Sequence, residues 1–166
     1  ISEDSRRPTL GLLQLKFPIA AITDEFSPDL ETALAPMSEI GLEGAELRVV
    51  GGKNILDLTD DELTRARDSV RARGMKVVSI ASPLLKCVLP GGPEIDGRFQ
   101  HDVFASKHTY EDQPRLAARA FEIAKFFEAP VVRVFSFWRT ADPPRCFEAI
   151  AEALERLAAE AVEHGI

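Results

Sequence analysis

Cysteine is scarce in this chain: Cys87 and Cys146 are the only two. Two thiols are too few for a disulfide scaffold, so both are expected to be reduced. They form no CxxC pair, and a metal role for them is only a weak signal. Long apolar runs are missing as well. None approaches the roughly 20 residues of a membrane span, so no membrane partner is expected. Positive charge is in deficit, with 20 Lys and Arg against 27 Asp and Glu and a net charge of −7. Binding to a phosphate backbone needs clustered cations, so nucleic acid is not an expected partner. A Gly-rich phosphate loop is also lacking. Asp24-Glu25-Phe26-Ser27 stands where it would follow the first strand, which lowers a nucleotide-binding reading.

What is there is globular material. The 166 residues are 45% apolar and 28% charged, enough for one core. Residues 1–17 read as a leader and 18–166 as the folded unit. Ser5-Arg6-Arg7 ahead of Leu10-Gly11-Leu12-Leu13 has the outline of a twin-arginine export signal. Lys16 interrupts the apolar stretch and no small-residue cleavage site follows. The expected location is therefore cytoplasmic, with export as the alternative.

From Pro18 onward strand-like and helix-like segments alternate. Residues 18–23 form a short apolar run, a buried-strand signal. Ser27-Pro28-Asp29 reads as an N-cap followed by Pro at the first helical position. The helix behind it carries Leu30, Leu34, Met37 and Ile40 and is expected to kink or shorten at Pro36 before Gly41 closes it. Residues 45–50 form the second strand, whose alternation places Glu46 and Arg48 on one face. Thr59 and Glu62 form a capping box for a helix with Leu63, Ala66 and Val70 inward. The cluster Arg65, Arg67, Arg71 and Arg73 reads as its solvated face.

Residues 76–82 are the third strand, stopped by Pro83. A connection rich in Gly, Pro and charge then runs over 84–113 and holds His101 and His108. Connections this long are usually lids or binding loops. The next helix opens at Asp112-Gln113-Pro114 and turns Leu116, Ala120, Ile123, Ala124 and Phe127 inward. Residues 130–138 are the fourth strand. Asp142-Pro143-Pro144 starts a last helix with the stripe Phe147, Ile150, Ala151, Leu154, Leu157, Ala158, Ala161 and Val162. His164, in its last turn, suits the helix C-terminus.

Four βα units in a row imply an α/β fold with a parallel sheet and right-handed crossovers. Two architectures fit: an open doubly wound sheet, and a (β/α)8 barrel of TIM type present as its first four units. The charged residues within strands two and four, Glu46, Arg48 and Arg133, favour the barrel, whose lumen has room for polar groups around a ligand.

In any parallel α/β fold the residues at strand carboxyl ends are the site candidates. Here they are Asp24, Glu25, Glu46, Arg48, Ser82, Lys86, Arg133, Ser136 and Trp138, with His101 and His108 on the long loop. Carboxylates and guanidinium groups bind hydroxyls and an indole stacks on a sugar face, so the expected ligand is a small sugar or polyol. Each candidate has a structural alternative. Glu46 and Arg48 either pair with each other or contact substrate. Arg133, among apolar neighbours, is either paired or ligand-facing. His108 is either a surface or capping residue or part of the pocket, and Trp138 is either core or sugar platform.

The segments Glu46-Leu47-Arg48, Ser79-Ile80-Ala81-Ser82-Pro83, His108-Thr109-Tyr110-Glu111 and Val132-Arg133-Val134-Phe135-Ser136 resemble the first half of a xylose isomerase-like TIM-barrel protein. That superfamily includes sugar isomerases, sugar-phosphate epimerases, inosose dehydratases and apurinic-site endonucleases. The resemblance spans about 18–166 and implies a metal-dependent sugar or sugar-phosphate isomerase or epimerase that abstracts a proton next to a carbonyl. The implied metal is Mn2+ or Mg2+, with Zn2+ or Co2+ in some members. Its Glu, Asp, His and Glu ligands stand at the ends of strands five to eight, beyond Ile166, so no metal is expected in this chain alone.

The start at Ile1 and the stop at Gly165-Ile166 read as cut ends, since such a barrel needs about 250 residues. The 166-residue chain by itself is then expected to be inactive. The implied substrate-binding residues are Glu46, Arg48, Lys86, His108, Arg133 and Trp138. From a different class, a non-catalytic sugar-binding or self-assembling half-barrel stays open, because two open sheet edges attract partners, including a second copy. The endonuclease branch fits less well. It places metal-binding His residues at early strand ends, and strand two ends here in Val49-Val50-Gly51-Gly52, strand three in Ser82-Pro83-Leu84.

Overall fold

The computed structural model describes residues 17–99 and 107–166. Residues 1–16, with Ser5-Arg6-Arg7, and His101 lie outside the described residues. The chain runs β1 (Ala20–Ile22), α1 (Leu30–Glu39), β2 (Gly44–Leu47), β3 (Val49–Val50), β4 (Lys53–Asn54), α2 (Asp60–Ala72), β5 (Lys76–Ala81), α3 (Gln113–Phe127), β6 (Val132–Arg133) and α4 (Phe147–Glu163). β1, β2, β5 and β6 form one sheet in that order, every pairing parallel. The order along the sheet follows the order along the chain.

The helices cover one face. Leu30, Leu34 and Met37 of α1, Leu63, Ala66 and Val70 of α2, and Leu116, Ala120, Ile123, Ala124 and Phe127 of α3 share a core with Ala45, Leu47, Val77 and Ile80 of the sheet. Leu157 and Ala161 of α4 pack against the same core. A doubly wound sheet would divide its helices between two faces and reverse its strand order at a switch point. The described residues do neither.

In-register neighbours of a parallel sheet share a face. The face away from the helices therefore carries Ile22, Glu46 and Ser79 at one level and Ala81 beside Arg133 at the next. The register shifts between Ala45 and Glu46, which keeps both Ala45 with Val77 and Leu47 with Ile80 on the core side.

Several local expectations hold. The Thr59/Glu62 capping box is formed in both directions. Lys53 adds an ion pair of 2.6 Å to Glu62, and this bond, with the Thr59 N–H, draws the Glu62 carboxyl down to about 2. Others need correction. The N-cap of α1 is Asp29, which accepts from the Thr32 N–H at 2.9 Å, rather than Ser27. α1 passes through Pro36 without stopping. The second strand ends at Leu47. Gly51 and Gly52, with φ of 59° and 78°, then turn the chain into the β3–β4 hairpin, a two-residue turn that needs positive φ at both positions.

The fourth strand is only two residues long. Beyond it Phe137 takes a left-handed φ of 66°. The chain still follows the segment after β5, through bonds from the N–H groups of Phe135, Phe137 and Trp138 to the carbonyls of Leu84, Leu85 and Cys87. The last helix is the largest departure. Of its expected stripe, Phe147 and Val162 are 74% exposed and no member is buried; the one buried residue of the helix is Ala153, outside that stripe. Ile150 and Leu154 are partly covered by a second cluster around Leu85, Cys87 and Phe137.

Gly44 of β2 sits between side chains of β1 and β5 that leave no room for a Cβ. A Cβ there would lie 2.7 Å from Ala20 Cβ and 2.8 Å from Val78 Cγ1, below any ordinary contact. Gly44→Ala is expected to lower unfolding free energy by about 1–3 kcal/mol, as measured by urea denaturation.

Candidate functional site

A cavity of about 390 Å³ opens at the carboxyl ends of β2, β5 and β6. Such ends are where ligands bind in parallel α/β folds. Among the residues foreseen as site candidates, Arg48, Ser82, Lys86, His108 and Arg133 line it. Asn54, Asp57, Lys107 and Phe135 join them unforeseen. Asn54 and Asp57 arrive because the hairpin folds the chain back over the end of β2. Its sequence signal was the Gly51-Gly52 pair.

Glu46 does not line the cavity but holds a residue that does. Its Oε1 accepts from Arg133 Nε at 3.1 Å. The two residues belong to β2 and β6, which flank β5, so their backbones stand roughly 10 Å apart. The side chains meet because β5 presents only Ser79 and Ala81 between them. Arg48 does not pair with Glu46, contrary to one expectation. β2 has ended before it, and its guanidinium turns to the 3-10 turn after β1 instead. There Nε and Nη2 donate to Asp24 Oδ2 at 3.0 and 2.7 Å, and Nη2 donates to Glu25 Oε1 at 2.6 Å. The Asp24 side chain is 5% exposed. These bonds, Asp24 first, push the Arg48 guanidinium further above its ordinary value, so it stays a cation at any physiological pH.

Lys86 is the most buried cation of the site, at 6% exposure. Its ammonium lies 5.0 Å from the centre of the Phe135 ring and 5.6 Å from that of Trp138. Arg133 reaches the Phe135 ring too, at 5.1 Å. Trp138 therefore stands beside Lys86 and outside the main cavity. It lines a neighbouring one of about 330 Å³ with His108, Tyr110 and Glu111. His108 contributes to both cavities, with Nδ1 at 3.9 Å from Asp112 Oδ2. The Asp112 carboxyl is itself drawn below its ordinary value by the Thr109 N–H. Ser136 is exposed and is not among the residues lining either cavity.

Lys86 is held by a rigid turn. The Leu85 backbone is left-handed at φ 56°, an unfavourable conformation for a residue with a Cβ. The buried Gln113 amide fixes it: Oε1 accepts from the Leu85 N–H at 2.7 Å, while Nε2 donates to the Thr109 carbonyl at 2.8 Å. The Ser82 hydroxyl donates to the Arg133 carbonyl at 2.6 Å and accepts from the Leu84 N–H. One short network thus ties both cation-bearing segments together.

Cys87 and Cys146 are both free and buried. Burial, and then the charge of Glu111, push the Cys87 thiol up to about 11, so it stays protonated and a poor nucleophile.

Comparison with protein-family models, with curated proteins and with solved structures finds no match for this chain. Among the described residues no group of three or more His, Cys, Asp or Glu is placed to hold a metal ion. No described helix is long and apolar enough to cross a membrane.

The Gln113 amide gives a direct test of how Lys86 is positioned. Gln113→Ala leaves the buried Leu85 N–H without its acceptor, at an expected cost of about 1–3 kcal/mol. Hydrogen exchange should rise at Leu85 and Lys86 well before it rises in α3.

Proposed function

We propose that this chain is the substrate-holding half of a sugar or sugar-phosphate isomerase or epimerase, built as the first four units of a xylose isomerase-like barrel. The observation that carries this reading is the cavity at the strand carboxyl ends, where Arg48, Ser82, Lys86, His108 and Arg133 converge. These groups offer many hydrogen-bond donors and a few acceptors in fixed positions, which suits a molecule dense in hydroxyl and carbonyl oxygens. The strand order, running β1-β2-β5-β6 with the helices on one face, agrees with a segment of a closed barrel.

In this reading Arg133 and Lys86 hold oxygens at one end of the substrate. Arg48, kept cationic by Asp24 and Glu25, donates from the β2 side. The rigid turn around Leu85 keeps the ammonium of Lys86 from following solvent. The divalent metal implied by the family finds no fitting ligand set among the described residues, and no step here runs through it. Transfer of the proton next to the carbonyl is assigned to carboxylates beyond Ile166.

The exposed apolar groups at the two outer strands fit the same reading. Phe17 and Ile19 lie before β1, Val131 before β6 and Phe147 at the start of α4, and all four are exposed. Further units of the barrel would cover them. A second copy would too, which is the alternative of a self-assembling, sugar-binding half-barrel.

The test is to extend the reading frame past Ile166 and incubate the expressed product with ketoses and Mn2+ in D2O. The expected result is Glu, Asp, His and Glu at the ends of strands five to eight, with solvent deuterium entering the carbon beside the carbonyl. A stop codon directly after Ile166, together with a dimeric 166-residue chain in light scattering, would replace the enzyme reading by the self-assembling one. An extended chain that exchanges no ketose proton would remove the isomerase assignment.

A further inference from the structure

Trp138 borders a second cavity of about 330 Å³ rather than the main one. His108 lines both, so the two adjoin. Lys86, in the wall of the first, has its ammonium 5.6 Å from the centre of the Trp138 ring, in the wall of the second. The two linings differ in kind. The main cavity is walled largely by hydrogen-bonding side chains. The second combines the rings of Tyr110 and Trp138 with the exposed apolar groups of Val88 and Pro90 and the carboxylate of Glu111. Both rings are held by the fold. The Trp138 N–H donates to the Cys87 carbonyl at 2.9 Å. The Tyr110 hydroxyl accepts from Arg156 Nη2 at 3.2 Å, and its ring lies 6.0 Å from that of the buried Phe137. The Glu111 carboxyl is kept below its ordinary value by the Thr109 hydroxyl, so it is an acceptor at neutral pH.

We infer that the second cavity is a subsite for a second sugar ring, so that the ligand is a disaccharide with one ring in the main cavity and the other packed on Trp138 and Tyr110. The inference rests on the sugar reading above for the main cavity, and on the lining of the second cavity for the second ring. Each cavity alone lies near the lower bound of the roughly 300–1,000 Å³ usual for ligand clefts. A two-ring molecule uses both. A sugar ring has faces of C–H groups and an edge of hydroxyls. The rings of Tyr110 and Trp138, with Val88 and Pro90, offer apolar surface to a face. The Glu111 carboxylate accepts from the edge. An aromatic group in place of the second sugar would use the rings and give Glu111 no donor. A monosaccharide confined to the main cavity would use none of this surface.

Trp138 is the one tryptophan of the chain, so its fluorescence reports on this cavity directly. The test titrates the 166-residue chain with two series of probes: xylose, xylobiose and phenyl xyloside, then glucose, cellobiose and phenyl glucoside. In at least one series the disaccharide is expected to bind at least about tenfold more tightly than its monosaccharide. It should also shift the Trp138 emission to shorter wavelength, because the packed ring excludes water from the indole. The monosaccharide is expected to bind without that shift. Val88→Ser and Glu111→Gln are each expected to cut the advantage of the disaccharide at least about threefold. Both side chains are exposed, so these variants keep the fold and stay interpretable where Trp138→Leu is unstable.

Equal affinity for monosaccharide and disaccharide in both series would overturn the inference and leave the sugar reading standing. So would a disaccharide that binds more tightly without moving the Trp138 emission, since its second ring would then lie elsewhere. A phenyl glycoside that binds more tightly than the disaccharide would overturn the assignment of the second ring as a sugar. Disaccharides that bind Val88→Ser and Glu111→Gln as well as they bind the parent chain would also overturn the inference, as would the absence of binding by every probe. The sugar reading itself is decided separately, by the deuterium exchange of the extended chain.

Discussion

Arg133 enters the sheet as a permanent cation, and its bond to Glu46 across β5 is the contact on which the open face of the sheet depends. A half-buried guanidinium has to be paired, and its partner stands two strands away. That distance sets a demand on the strand between them, which β5 meets with Ser79 and Ala81. Larger residues at either position would fill the space that the ion pair crosses. The shift between Ala45 and Glu46 serves the same end. Val78 is passed over in β5, so Val77 and Ile80 both stay on the helix side while Ser79 comes level with Glu46. A small residue, a displaced register and an ion pair are thus one device.

The same logic extends outward from the sheet. Arg48 stands just beyond the last β2 pairing and is captured by Asp24 and Glu25 at the end of the neighbouring strand. Each guanidinium of the site is pinned by carboxylates, Arg48 from the turn after β1 and Arg133 from within β2. Lys86 is positioned by backbone geometry instead. The left-handed Leu85, the Gln113 amide and the parallel run of N–H bonds from 135–138 to 84–87 form a frame around it. Such a frame tolerates little movement. That matters where two cations face one ring, because a flexible ammonium would swing away to water.

Much of this was legible in the sequence. The apolar runs and helix stripes gave three of the four main strands close to their observed bounds, and the Thr59/Glu62 spacing marked a cap that is formed. The rule that ligands meet strand carboxyl ends picked out five residues that line the cavity. The misses have physical causes. Pairing Glu46 with Arg48 assumed one continuous strand, but the pleat rule fails once the chain leaves the strand at Leu47. Asn54 and Asp57 reach the cavity only because Gly51-Gly52 reverses the chain. That turn signal sits inside what alternation alone reads as a strand end. The α4 stripe was read as buried because periodicity reports which side of a helix is apolar. It cannot report whether anything lies against that side, and Phe147 and Val162 have no such cover.

The cavity wall also constrains where other chemistry can stand. Guanidinium and ammonium groups attract oxyanions and repel a divalent cation, so a metal centre and this wall cannot occupy the same end of a pocket.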